Sequence, residues 1–238
     1  VQSESLETSL VDEVVIYGPR ISPFVEKVVR GAALKGLPHR LVESGRPPRT
    51  RARTRKVPVA RIRGETLYDS TFILRALDAL RPEPRLLSSD PVVAAAQRNL
   101  EDWSDESLSW CVFAVRWSPP NAAATRAELA RLRGHVPRFA FDWLIKRWIG
   151  SQPAAQGMGR LPYGVLLRET AARLDDLVTL LGDRPFFYGR RPCVADLAIY
   201  GQLKTACRGA TPDLHDLVHA RPALTGLMAR LEERTGGA

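Results

Sequence analysis

Cysteine is scarce in these 238 residues: Cys111, Cys193 and Cys207 are the only three, with no C-x-x-C pair. An odd, scattered set offers no disulfide framework and suits a reducing compartment. Long apolar runs are missing too, since none reaches the ~18 residues that a membrane-spanning helix needs. The start, VQSESLETSLVDE, is polar and acidic, without the features of a signal or transit peptide. A cytoplasmic protein is therefore the expectation. Lysine is also rare, confined to positions 27, 35, 56, 146 and 204, yet Lys plus Arg total 35 against 26 acids. The formal charge of +9 thus comes from arginine spread along the chain, and a basic total alone specifies no nucleic-acid site. One local cluster stands out: Arg46, Arg49, Arg51, Arg53, Arg55 and Lys56. There is no internal repeat, and low complexity is confined to residues 46–55.

What is present divides into two halves of different period. Val14-Val15-Ile16-Tyr17 is a short apolar run, as expected of a strand buried on both faces. A turn at Gly18-Pro19-Arg20 leads to a helix start, with Ser22 as N-cap and Pro23 in the first helical position. Val25, Val28, Val29 and Ala32 recur at helical spacing, and Glu26, Lys27 and Arg30 are expected to point away from that face. Gly36 suits the left-handed cap and Pro38 stops the helix. Arg40-Leu41-Val42 reads as a second strand, residues 57–68 with Gly64 as a tight hairpin, and Asp69-Ser70 as the start of a helix. Strand, helix, strand, basic loop, hairpin and covering helix make a thioredoxin-like arrangement, whose first two strands are parallel neighbours. The Pro/Ser-rich stretch 81–91 is a linker. Beyond it only helices are expected. The first runs from Asp90-Pro91 with Val92, Ala96, Leu100, Trp103, Trp110, Ala114 and Trp117 on one face. Others are expected over 125–133, 139–149, up to Gly182, over 194–206, and around Leu224 to Leu231. The expected domains are 11–81 and 90–235.

Four local patterns, in this order and at this separation, resemble the glutathione transferase superfamily over nearly the whole chain. Ser22-Pro23-Phe24, leading to Leu34-Lys35-Gly36-Leu37, resembles the tau- and omega-class opening. Lys56-Val57-Pro58-Val59 resembles the segment whose proline is cis. Asp69-Ser70 stands where the family has an acidic-Ser pair. Phe186-Phe187-Tyr188-Gly189 with Pro192-Cys193-Val194-Ala195-Asp196 resembles a helix start in the second domain. Finer details, at Asp69 to Ile73, Leu108 to Trp117 and Ala155 to Arg160, are similar to the failed-axon-connections and metaxin branch. The resemblance implies a thioredoxin-like domain followed by an all-helical one, glutathione as cosubstrate, and a homodimer.

It also implies roles. An unperturbed thiol titrates near ~8.5, and only its anion attacks well. Ser22 would hydrogen-bond the glutathione sulfur at a helix N-terminus that favours negative charge. Val57, ahead of a cis Pro58, would pair with the cysteinyl backbone. Asp69 and Ser70 would hold the γ-glutamyl amine and carboxylate. Lys56, with Arg53 or Arg55, would grip the glycyl carboxylate. Read without the resemblance, Ser22 and Asp69 are plain helix caps, Pro58 an ordinary trans proline at a strand start, and the arginine cluster a solvated loop. Cys193 stands at a cap position with Asp196 three residues on. His215 and His219 have the i, i+4 spacing of zinc sites but no evident third ligand, so no metal is expected. Three function classes remain open on these residues: a glutathione-dependent enzyme acting on a small electrophile, a non-catalytic module of the same fold, and a basic adaptor for RNA or acidic membrane surfaces through Arg46 to Lys56.

Overall fold

A computed structural model describes residues 13–43 and 56–236. Four strands, β1 (Val14–Tyr17), β2 (His39–Val42), β3 (Val59–Ile62) and β4 (Glu65–Tyr68), form one sheet in the order β2-β1-β3-β4. The β1–β2 pair is parallel and is joined through helix α1 (Pro23–Leu34), while β3 runs antiparallel to both β1 and β4. The β3–β4 hairpin turns on Arg63 and Gly64, both at positive φ, the conformation a two-residue turn between twisted strands requires. Helix α2 (Ser70–Leu80) follows, burying Ile73, Leu74 and Leu77. This is the thioredoxin-like order of elements read from the sequence.

The remaining elements are helical. The stretch α3 (Pro91–Trp103) continues through one wide π turn, Ser104–Leu108, into α4 (Ser109–Trp117). Then come α5 (Pro119–Leu129), α6 (Arg138–Trp148), the short α7 (Gln152–Gln156), α8 (Tyr163–Leu181), α9 (Val194–Ala206), α10 (Pro212–His219) and α11 (Pro222–Arg234). Helix α9 starts on a cap in which Asp196 accepts the N–H groups of both Cys193 and Phe187. One continuous apolar cluster runs from Val14 in the sheet to Leu231 in α11, so both halves share a core.

Two expectations about helix faces are corrected. Glu26, Lys27 and Arg30 do not face solvent; they are 2%, 0% and 3% exposed. Their side of α1 lies against the second half of the chain, where each finds a partner. Lys27 pairs with Glu101 and Asp105, Glu26 with Arg208, and Arg30 with Thr235 and the Tyr200 ring. On α3, Val92 is exposed, and the buried stripe runs through Ala94, Gln97, Glu101 and Ser104 instead. Of the polar residues there Glu101 meets Lys27 and Gln97 accepts from the Ser88 N–H. Of the expected apolar stripe, Leu100, Trp103 and Ala114 do pack against the core, and Val92 does not.

The stretch between α2 and α3 is tied down. Lys35, fully buried, bonds Asp78 and the Pro84 carbonyl at 2.6 Å each, and Arg81 bonds the Lys35 and Gly36 carbonyls. Helix α9 approaches α1 at Gly201, where a Cβ would sit 2.3 Å from the Pro23 carbonyl oxygen. That oxygen belongs to the first turn of α1 and cannot swing aside as a side chain would. Gly201→Ala is therefore expected to cost about 2 kcal/mol, the overpacking penalty outweighing the better helix propensity of alanine. Urea unfolding would measure it, and an unchanged or higher midpoint would contradict the tight crossing.

Candidate functional site

The sheet register brings the candidate residues to one end of the molecule. Tyr17, last in β1, pairs with Val59, first in β3, which pairs in turn with Tyr68, last in β4. The loop to Ser22, the Lys56-Val57-Pro58 segment and the Asp69-Ser70 turn therefore leave the sheet at the same edge. Gly18 draws the first two together, since a Cβ there would lie 2.6 Å from Val25 Cγ2 and 3.1 Å from Val57 Cβ. Its φ of +148° also suits glycine and strains other residues.

Ser22 sits at the N-cap position of α1 with extended backbone angles, but its side chain makes no capping hydrogen bond. Its carbonyl accepts from Val25 and Glu26 in the usual way. The hydroxyl has no other partner among the described residues, so the plain-cap reading does not account for it. The Val57–Pro58 bond is cis, as the resemblance implies. Among the described residues the Val57 backbone N–H and C=O enter no hydrogen bond. Lys56 is exposed beside it. Arg55, like the rest of the cluster from Arg46, lies outside the described residues.

Asp69 has φ +75°, unusual for a residue with a side chain. One carboxylate oxygen caps α2 by accepting from Thr71 N–H at 2.9 Å. Ser70 is buried, and its hydroxyl has no partner among the described residues. Here the capping and ligand-holding readings coexist, because the cap uses only part of the polar inventory.

Beneath this turn lies a group that sequence reading missed. Lys27 Nζ is 2.7 Å from Glu101 Oε1 and 2.6 Å from Asp105 Oδ2, and it also reaches Thr71 Oγ1, which donates to Glu101. Thr71 thus anchors the Asp69-Ser70 turn to a buried cation held by two acids. Its signal in the sequence was the acid-rich run Glu101 to Glu106 inside an otherwise apolar helix. A different cavity, of about 400 Å³ between α9, α10 and α11, is lined partly by His215 and His219, whose rings stack 3.8 Å apart. It includes none of the candidate site residues.

One cation facing two acids leaves the buried group one negative charge in excess. Burial pushes the Asp105 carboxyl up from 3.8 to about 6, Lys27 lowers it in part, and Glu101 and then Asp69 raise it further. For a carboxyl raised on folding, the unfolded chain ionises first. Stability therefore falls as pH rises from 3.8 to about 6, by roughly 3 kcal/mol in all, with no cost below that window and the full cost above it.

Comparison with known proteins bears on the fold and its first half. Residues 16–85 match the family model of the glutathione S-transferase N-terminal domain. A maleylacetoacetate isomerase of Pseudomonas aeruginosa is 28% identical over 209 residues, covering 82% of this chain and 84% of its own. A glutathione S-transferase of Methylobacterium radiotolerans JCM 2831, solved in complex with glutathione sulfonate, aligns with a TM-score of 0.63 at 24% identity, over 93% and 91% of the two chains. Rice GST1, solved in complex with glutathione, gives 0.65 at 23% identity over 95% and 90%. The beta-etherase LigF of Sphingobium sp. strain SYK-6 gives 0.67 at 18% over 94% and 99%. The thioredoxin-like sheet followed by a helical region is thus the glutathione transferase fold.

The excess charge at Asp105 generates a test. Asp105→Asn keeps an oxygen for Lys27 while removing the surplus charge. It is expected to match the parent near pH ~4 and to exceed it by about 1–3 kcal/mol above pH ~7. Urea titrations across that range check this, and a difference that does not vary with pH would refute it.

Proposed function

We propose that this chain is a glutathione-dependent enzyme of transferase type, holding glutathione across the end of the sheet and activating its thiol for attack on an electrophile. The observation that carries this reading is the Ser22 hydroxyl, which stands at a helix N-cap yet is left out of the cap. Forgoing the cap costs about 1 kcal/mol, and an outside acceptor explains why it is forgone.

Glutathione, as cosubstrate, supplies the thiol whose anion attacks the electrophile. The chain's own residues hold that anion, in the manner implied by the tau- and omega-class opening. Ser22 donates one charge-assisted hydrogen bond to the sulfur, and the start of α1 adds partial positive charge. Together these are worth about 2–3 kcal/mol, one to two pK units of thiol acidity. Val57, with both backbone polar groups uncommitted, pairs strand-fashion with the cysteinyl unit. The Ser70 hydroxyl and the first turn of α2 take the γ-glutamyl carboxylate. The second Asp69 oxygen takes the amine, and Lys56, with Arg53 or Arg55, takes the glycyl carboxylate.

For the second substrate, α4 offers a half-buried ladder of Trp110, Phe113 and Trp117, with ring centroids 5.8 and 6.1 Å apart. Trp117 joins a small apolar cluster with Ile21, the neighbour of Ser22. These favour an apolar electrophile. The likeness to a maleylacetoacetate isomerase favours an unsaturated carboxylate as well, an electrophile to which a thiolate adds. The reading includes a cytoplasmic homodimer pairing the first half of one subunit with the second half of the other, for which exposed Phe72 and Val92 offer apolar contacts.

Ser22→Ala is the decisive variant. It is expected to lower turnover of an aryl halide by roughly 10- to 100-fold and to raise the bound thiol pKa by about one to two units, with stability changed by less than ~0.5 kcal/mol. Steady-state kinetics, thiolate absorbance and urea unfolding read these. Retention on immobilised glutathione without any turnover would favour the non-catalytic module. A large stability loss with unchanged turnover would return Ser22 to a plain cap.

A further inference from the structure

Large apolar side chains left in solvent are concentrated on one short helix. Of eight such residues among those described, Phe139, Trp143, Leu144 and Trp148 lie on α6, with Phe139 79%, Trp143 63% and Trp148 59% exposed. Helix α6 is anchored from its other side, where Phe141 and Ile145 pack with Leu129, Ile21 and Trp117 in a small cluster separate from the main core. The outward side is therefore a stable surface of a seated helix.

The charges around this face have one sign. Residues 130–152 contain Arg131, Arg133, Arg138, Lys146 and Arg147 against the single acid Asp142, a balance of +4. Asp142 is itself 3.9 Å from Arg138. The Arg147 guanidinium lies over the Trp143 ring, 6.0 Å from its centroid. On a helical projection Phe139 and Trp143 form one ridge flanked by Lys146 and Arg147, and Leu144 and Trp148 form a second apolar ridge on the far side of Arg147. An 11-residue helix is only about 16 Å long and cannot cross a bilayer. Phenyl, indole and leucyl groups rimmed by long cations instead suit a helix lying in the plane of a lipid interface, rings inward and cations at the headgroups.

We propose that α6 docks this protein reversibly on an anionic membrane surface. Charge argues against the same face pairing with a second copy, which would press Lys146 and Arg147 against their own copies while the single acid of α6, Asp142, already stands beside Arg138. A nucleic acid would neutralise the cations and stack on the rings but leave Leu144 without an apolar partner. The inference is independent of the glutathione site and does not use the Arg46 to Lys56 cluster.

The experiment is cosedimentation of the full chain with phosphatidylcholine vesicles, with and without a large share of phosphatidylserine, while tryptophan emission is followed. Binding to the anionic vesicles with a blue shift, weakening as salt rises, is expected. Phe139→Ser combined with Trp143→Ser should lower it by about 100-fold, and Lys146→Glu combined with Arg147→Glu by roughly as much. Circular dichroism and melting should stay unchanged in both, because all four side chains are exposed. No partition to anionic vesicles would overturn the proposal. So would partition that survives either double substitution, equal partition to neutral vesicles, or displacement by a single-stranded oligonucleotide that binds the same face more tightly.

Discussion

Burying helix α1 on every side is the constraint from which the rest of this structure follows. Its apolar residues face the sheet and α2, as in any amphipathic helix, but its charged residues face a second packed layer instead of water. A buried ammonium or guanidinium is tolerable only with its charge answered and its donors satisfied. The answers come from distant parts of the chain: Glu101 and Asp105 on the α3–α4 stretch, Arg208 after α9, and Thr235 after α11. Satisfying those ions fixes how the helical half sits on the sheet. The first turn of α1, with Ser22 at its head, is then held from both sides.

The same constraint separates polar groups that are committed from those that are not. Lys27, Lys35 and Arg116 are locked into buried pairs with short contacts. Around the sheet end the pattern reverses: the Ser22 and Ser70 hydroxyls and the Val57 peptide groups have no partner among the described residues. Proteins seldom leave buried or half-buried hydrogen-bonding groups unused without a reason. Buried atoms without a hydrogen-bond partner also occur in the interior, at Glu26 Oε2, Ser104 Oγ, Asp105 Oδ1 and the Gln202 amide among the described residues. What distinguishes the end of the sheet is that the Ser22, Ser70 and Val57 groups converge there on one exposed turn region.

Much of this was legible in the sequence because it rests on local chemistry. Proline after serine, glycine after lysine, the glycine-containing hairpin and the acid-serine pair each report a cap or a turn within a few residues, and all proved to mark element boundaries. The parallel pairing of the first two strands followed from the right-handed crossover. The burial of Glu26, Lys27 and Arg30 was not legible, because a charged residue at helical spacing reads as solvent-facing unless its distant partner is known. The buried side of α3 was misread in part for the matching reason, since Glu101 there answers Lys27. The role of Gly201 was invisible as well; a glycine in an apolar helix signals close packing without naming what it packs against.

Gly201 and the buried ions together have a bearing on modular exchange. In many proteins a sheet domain and its helical companion are joined by a few surface contacts and can be traded between relatives. Here a transplanted sheet half would arrive with three charged groups on its docking face, matched to Glu101 and Asp105, to Arg208, and to Thr235 with Tyr200 in its original companion. It would also need a residue without Cβ where its first helical turn is crossed. The two halves are in effect one unit of inheritance, and a working chimera would have to carry both sides of that seam.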